Sequence, residues 1–307
     1  MRIFLTGATG YIGAAVLDAL VRGGHDVTAL VRNGEKARGV AKRGAHPVIG
    51  DLAEPESYKA SAEAQDGYVH AAYDSRGAHG ATVDRTALDV IIAAAKRPRT
   101  AGGTGPFTRF IIYTSGIWIL GRSPEPLDES APVNPAPPMS WRAEHEALVL
   151  NAANEHLRTI AVRPGMVYGG GSGTIGEIFK AASNGLVRVV GDGNNHWPLV
   201  YERDLADLYA RLASHNDARG VFHANDEGDE RVNDIVGAIK PYLPVKPDVR
   251  YVPIEEARHK MGVYADAHAL DQVVRSPRAR ALGWTPTLHS VAGNAARLLE
   301  EWRESRN

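Results

Sequence analysis

The apolar positions in the N-terminal half of the chain follow two alternating patterns. Short apolar runs at Ile3-Phe4-Leu5, Val27 to Val31, Pro47-Val48-Ile49, Tyr68 to Ala72, Phe110 to Tyr113 and Thr159 to Val162 predict six strands. After the first run, Val16, Leu17, Leu20 and Val21 recur at helical spacing until Gly23-Gly24, and Leu88 to Ala95 carries a second helical pattern closed by Pro98. Strands separated by helices imply right-handed crossovers. The expected fold is therefore α/β, with a doubly wound parallel sheet covered on both faces. Thr100 to Pro106 (TAGGTGP) is glycine-rich and apolar-poor, which predicts a flexible surface loop before the fifth strand. Arg122 to Pro138 holds six prolines and predicts an irregular excursion near the strand ends. From Gly169 the alternation loosens. Helical patterns at Thr174 to Ser183, Val232 to Tyr242 and Leu288 to Trp302 predict a smaller, mostly helical C-terminal lobe.

Composition narrows the partners more than the chemistry. The 307 residues leave room for one large α/β domain and a smaller lobe. Thirty-five basic against 36 acidic side chains give a net charge of −1, with no long run of one sign, so neither nucleic acid nor a membrane surface is expected as a partner. The absence of cysteine excludes disulfides, thiolate metal sites and a cysteine nucleophile. The twelve histidines show no HxxxH or HExxH spacing, and no metal site is expected. No apolar run approaches the roughly 20 residues that span a bilayer. The first strand starts at about residue 2, which leaves no room for a leader, and a cytoplasmic location is expected.

The chemistry begins at the turn after the first strand. Met1 to Gly13 reads MRIFLTGATGYIG, with glycines at 7, 10 and 13 between an apolar run and a helical pattern. Glycine there permits a tight turn, close approach of backbone to a pyrophosphate and close packing of helix on strand. The helix N-terminus then offers unpaired N–H groups to the anion. A dinucleotide is the first expectation. The second strand ends Leu30-Val31-Arg32-Asn33 without the carboxylate that would hold the ribose hydroxyls of NAD, and Arg32 can fork onto a 2′-phosphate, so NADP is favoured over NAD. Asp51, followed by Leu52, reads equally as an adenine ligand or as a cap for the turn at Glu54-Pro55. Ala71-Ala72 places small side chains where backbone would pass close to a cofactor; ordinary helix–strand packing favours the same residues.

Taken together, these segments resemble the extended and atypical short-chain dehydrogenase/reductases, in their epimerase/dehydratase branch. Thr6 to Gly13 (TGATGYIG) matches TGxxGxxG, and Gly50-Asp51-Leu52 and His70-Ala71-Ala72 are similar to the adenine and mid-cofactor segments. Tyr113-Thr114-Ser115-Gly116 is similar to the serine strand and Val162 to Gly169 (VRPGMVYG) to RPxxVYG. Leu199 to Ala206 is similar to fVHVdDvA and Leu282 to Pro286 to LGWxP, so the likeness runs through nearly the whole chain in order. It implies a Rossmann fold whose dinucleotide-binding domain covers residues 1–168, with 196–225 returning to it, and a substrate lobe of 169–195 and 226–307. It also implies cofactor contacts from Gly7, Thr9, Gly10, Tyr11, Ile12 and Gly13, from Arg32, Asp51 and Leu52, from Ala71, Ala72 and Tyr73, and from Thr114, Arg142, Pro164, Gly165 and Val167.

The resemblance weakens where the family does its chemistry. That chemistry uses a Ser or Thr hydroxyl, a Tyr that exchanges the proton, and a Lys four residues later. Aligning Glu146 with the glutamate of YxxxKxxxE puts Arg142 in the Lys place and Pro138 in the Tyr place, while Gly116 rather than Ser115 takes the hydroxyl position. Ser115, Arg142 and Tyr73 are the candidates for catalysis, with Tyr168, Tyr201 and His145 as further proton donors. Trp118 and Trp141 wall a pocket or simply fill the core, and Gly191 to Trp197 is similar to the family's GdGxxxW loop or is merely a turn. Three functions follow from the resemblance. The first is an NADP-dependent oxidoreductase acting on a small carbonyl, alcohol or sugar-like substrate. The second is a nucleotide-sugar epimerase or dehydratase. The third is a non-catalytic NADP-binding regulator. A homodimer through the helix at Met139 to Asn154 is possible if Leu148 and Leu150 face outward, whereas burial against its own sheet would exclude it.

Overall fold

The computed structural model describes residues 1–74, 76, 78–97, 108–123, 125–136, 139–243 and 245–306. The loop expected at Thr100 to Pro106, and Pro98 and Pro138, lie outside the described residues. The chain divides into two compact units. One comprises residues 1–115, 141–163 and 205–222, and the other 116–140, 164–204 and 223–307.

The first unit is built on a parallel sheet. Its strands are β1 (Arg2–Thr6), β2 (Asp26–Val31), β3 (His46–Ile49), β4 (Gly67–His70), β5 (Arg109–Thr114) and β6 (Leu157–Pro164). A seventh strand, Gly220–Ala224, lies at the edge beside β6, giving the order Gly220–Ala224, β6, β5, β4, β1, β2, β3. The order reverses at β1, so the crossovers put helices on both faces: α1 (Tyr11–Arg22), α2 (Gly34–Lys42), α3 (Lys59–Glu63), α4 (Ala78–Lys96) and α5 (Ser140–Leu150). Helix α1 forms where Val16, Leu17 and Leu20 share one buried face, and it ends at Gly23-Gly24, where Gly24 takes φ +75°. One apolar cluster of this unit joins Phe4, Tyr68, Ile111 and Tyr113 of the sheet to Leu88 and Ile91 of α4 and Val149 of α5, with Leu148 packed against it. Each such side chain contributes about 1.5–3 kcal/mol by leaving water.

Two elements differ from their apolar patterns. Strand β4 stops at His70 rather than Ala72, because the chain leaves the ladder after the Ala71 N–H bonds the Thr6 carbonyl at 3.3 Å. Helix α4 starts ten residues before Leu88; its buried stripe of Gly80, Val83, Asp84, Ala87 and Leu88 is interrupted by a carboxylate.

The second unit combines helices at Gly173–Ser183, Val232–Ile239, Ile254–Met261 and Ala295–Glu304 with three two-stranded sheets. Leu186–Val190 pairs parallel with Asp248–Val252, Met166–Tyr168 with Leu199–Tyr201, and His196–Trp197 antiparallel with Glu230–Arg231. The last helix starts at Ala295, after a single 3₁₀ turn at Ala292–Asn294, rather than at Leu288. Its core gathers Tyr168, Phe179, Trp197, Ile235, Leu298 and Trp302. Among the described residues no helix is long and apolar enough to cross a membrane.

Candidate functional site

The glycine turn after β1 is a cradle that side chains would fill. Gly7 takes φ +79°, and a Cβ there would lie 2.5 Å from the Ala71 carbonyl oxygen. A Cβ on Gly13 would lie 2.1 Å from the Gly7 oxygen, well inside contact distance. Gly10 occupies the N-cap of α1 with no side-chain cap, and no acidic residue stands in the first turn. The Gly10 N–H closes the turn on the Gly7 carbonyl at 2.8 Å, and with no N-cap side chain at Gly10 the start of α1 offers the positive end of its dipole to a pyrophosphate. The backbone of Ala71 and Ala72 packs directly against Gly7, which accounts for two small residues after β4.

At the end of β2, Arg32 is exposed and has no ion-pair or hydrogen-bond partner among the described residues. Asn33 is occupied, its Oδ1 accepting the Lys36 N–H at 3.0 Å to cap α2. A second cation accompanies Arg32: the Arg38 guanidinium lies 3.9 Å from where a Gly34 Cβ would stand. Arg38 is not among the residues that the sequence pattern singles out; its signal is a basic residue one helical turn beyond Gly34. Asp51 Oδ1 accepts the Ala53 N–H at 2.9 Å, and the Leu52 carbonyl accepts from the Tyr58 hydroxyl at 3.3 Å.

Three of the groups singled out from the sequence, Thr114, Ser115 and Arg142, meet at the end of β5. The Thr114 hydroxyl is paired with Tyr209 at 2.7 Å, while its carbonyl accepts from Arg142 Nη1 at 3.2 Å. Ser115 is 5% exposed, and its Oγ has no hydrogen-bond partner among the described residues. A buried hydroxyl in that state is a ready donor to an incoming oxygen. The Arg142 guanidinium sits 4.4 Å from the Trp141 ring centre and 5.0 Å from that of Tyr73, and those two rings stack in parallel at 6.5 Å. Tyr73, Trp141 and Arg142 thus form one shelf, with Tyr73 53% exposed.

Beneath the shelf lies a buried polar network. Asp84 of α4 accepts from His70 Nε2 at 3.1 Å, from His145 Nδ1 at 2.6 Å and from the Tyr113 hydroxyl at 3.1 Å. His70 Nδ1 in turn meets the Thr6 hydroxyl at 2.7 Å. Burial opposes charge on Asp84, but the hydrogen bonds from His145 and His70, with the positive field of Arg142, outweigh it and hold the carboxyl well below the usual range. Burial and the Asp84 charge drive the Tyr113 hydroxyl the other way, well above its ordinary value. Each member adjoins a residue expected at the cofactor from the sequence: Thr6 precedes Gly7, His70 precedes Ala71, Tyr113 precedes Thr114, and His145 lies one turn beyond Arg142. Next to it, Arg163 Nε and Nη2 grip Glu146 at 3.0 and 2.5 Å, both side chains being buried.

Pro164, Gly165 and Val167 belong to the second unit. A Cβ on Gly165 would lie 2.7 Å from the Pro198 oxygen, and Val167 pairs with Val200. Trp118 stands in the same unit beside Tyr264 and His268, so the two tryptophans considered as a pocket wall belong to separate aromatic groups. The Gly191 to Trp197 loop is a turn closed by its own bonds: Asp192 Oδ1 accepts the Asn194 N–H at 3.0 Å. Tyr201 donates to Glu301 at 3.1 Å.

A model of the NAD dependent epimerase/dehydratase family matches residues 3–224, more than half of the chain. The chain belongs to that family. Within it, an uncharacterized protein of Schizosaccharomyces pombe is 30% identical over 297 residues, covering 95% of this chain and 96% of the relative. A 4-hydroxy-2-methyl-3-oxo-4-farnesyl-3,4-dihydroquinoline-1-oxide ketoreductase of Stigmatella aurantiaca is 27% identical over 92% of this chain and 84% of its own. Among solved structures, a UDP-glucose 4-epimerase of Thermotoga maritima with UDP-glucose superposes with a TM-score of 0.81 at 20% identity over the whole of both chains, a likeness of fold. The doubly wound sheet is what this epimerase/dehydratase-family protein has in common with that structure.

Proposed function

We propose that this protein is an NADP-dependent reductase of a small carbonyl substrate. The observation that carries the reading is the shelf of Tyr73, Trp141 and Arg142 beside the unpaired Ser115 hydroxyl, at the carboxyl end of β5, where open α/β sheets place their ligands. The glycine cradle fits the pyrophosphate, and the exposed Arg32 with Arg38 supports the 2′-phosphate and hence NADP over NAD. The reductase name of the Stigmatella relative points the same way.

Bound NADPH supplies the hydride that the carbonyl carbon accepts. Arg142, fixed by the Thr114 carbonyl and by two aromatic rings, holds the ribose side of the site and cannot relay protons, since guanidinium stays charged. Ser115 Oγ donates to the carbonyl oxygen and polarises it. Tyr73 delivers the proton that turns the developing alkoxide into an alcohol.

The test is cofactor binding and turnover across a carbonyl panel. NADPH binding followed by its fluorescence should exceed NADH binding, and Arg32→Ala should remove about tenfold of that preference. Consumption of NADPH should fall in Ser115→Ala and Tyr73→Phe by roughly 10²-fold each. Undiminished turnover in Tyr73→Phe removes Tyr73 as the donor. Tight NADPH binding with no turnover on any carbonyl replaces the reductase with a regulator.

A further inference from the structure

The second unit contains a cavity of about 300 Å³, at the lower bound of ligand-binding pockets. Its walls are one face of the helix Gly173–Ser183, the strand Leu186–Val190, the helix Ile254–Met261, Trp197 and His268. The lining is mostly apolar, supplied by Ile178, Leu186, Val189, Trp197, Val252 and Met261.

Four charged side chains also line it, and they are not equivalent. Glu177 is paired with Lys180 at 3.5 Å and Glu256 with Arg250 at 3.0 Å. Arg188 and Lys260 have no ion-pair or hydrogen-bond partner among the described residues. The lining therefore carries two solvent-exposed cations that no carboxylate of the described residues engages, beside an apolar interior. His268 packs edge-on to Trp197 with ring centres 5.6 Å apart, and burial lowers its pKa to about 4, so it enters as a neutral donor and acceptor rather than a third cation.

We propose that this cavity binds a monocarboxylic acid with an alkyl or aryl body of about eight to ten carbons, the body filling the apolar interior and the carboxylate meeting Arg188 and Lys260. The length follows from the volume, since ~300 Å³ equals roughly ten water volumes. A nucleotide sugar is the poorer occupant: its sugar hydroxyls would lose water against apolar walls that return few hydrogen bonds.

The probe is decanoate, followed by quenching of intrinsic tryptophan fluorescence and by calorimetry on the full chain. Affinity should rise about fourfold per methylene from hexanoate through decanoate and then level off. Decanol should bind at least tenfold more weakly than decanoate. The Arg188→Ala/Lys260→Ala double variant, altered only in exposed side chains, should weaken decanoate about tenfold and leave decanol unchanged. Ala181→Trp should block both ligands, with circular dichroism reporting its fold. Binding that ignores chain length, decanoate affinity unchanged in the double variant, or displacement of decanoate by an equal concentration of UDP-glucose would overturn the proposal. Carbonyl reduction without decanoate binding removes this inference alone, and decanoate binding without turnover on any carbonyl removes the reductase reading alone.

Discussion

Replacing Asp84 by alanine removes the acceptor on which His70, His145 and Tyr113 converge. The carboxylate is 6% exposed, so water cannot take its place, and two imidazole N–H groups and a phenol are left facing apolar surroundings. Breaking a buried charged pair costs about 3–5 kcal/mol, and each hydrogen bond to a charged group about 1.5–3 kcal/mol, so the loss should be at least ~3 kcal/mol. At roughly 2–4 °C per kcal/mol, the melting transition should drop by about 6–12 °C. The loss carries a pH signature. Asp84 is held well below the ordinary carboxylate range, so its contribution is complete above about pH 5, begins to decline below about pH 4 and is lost only as pH falls through the much lower folded value. Urea unfolding of the wild type and Asp84→Ala at about pH 7, 5 and 2.5 should therefore show a gap that is the same at the first two and narrower at the last. NADPH affinity should fall as well, because the network members adjoin the cofactor segments. A loss below about 1 kcal/mol at pH 7, or a gap of the same size at pH 7 and about pH 2.5, refutes the assignment of Asp84 as an ionised hub.

Gly13→Ala should abolish NADPH binding while the protein stays folded by circular dichroism, since the added Cβ would lie 2.1 Å from the Gly7 oxygen and force the cradle open. Glu146→Ala leaves the buried Arg163 guanidinium without its carboxylate and should cost about 3–5 kcal/mol in urea unfolding; Glu146→Gln should recover part of it. Asp226 is 1% exposed, and burial pushes its carboxyl up to about 7. Its folded state therefore binds the extra proton between about pH 4 and pH 7, and stability should decline as pH rises through that window. Asp226→Asn should flatten the decline and gain about 2–4 kcal/mol relative to wild type at pH 8, read by urea midpoints at pH 5 and 8.

Much of the first unit was legible because its signals are local. An apolar run of five residues between turns has few alternatives to a buried parallel strand, and the six predicted strands lie within three residues of those observed. Helix α4 was read ten residues short because Asp84 and Arg85 interrupt its stripe before Leu88. The edge strand Gly220–Ala224 and the two-stranded sheets of the second unit were not assigned as strands. With two to five residues each, they are too short to establish a period, and the neighbours that pair with them are distant in sequence.

The sequence by itself determined the glycine cradle. Positive φ at Gly7 and the missing Cβ at Gly13 are needs of a thirteen-residue segment, and that segment states them. It likewise determined the parallel α/β class and the basic tip of β2. Only the tertiary structure decided which polar residues matter beneath the cradle. Asp84 is one carboxylate among 36 acidic residues until folding brings it to within hydrogen-bonding distance of His70, Tyr113 and His145, up to 61 positions away, and shuts out water. Arg188 and Lys260 look like any surface cations until strand and helix pack them around one apolar cavity. The value of a charge depends on its solvent and its neighbours, and both are products of the fold.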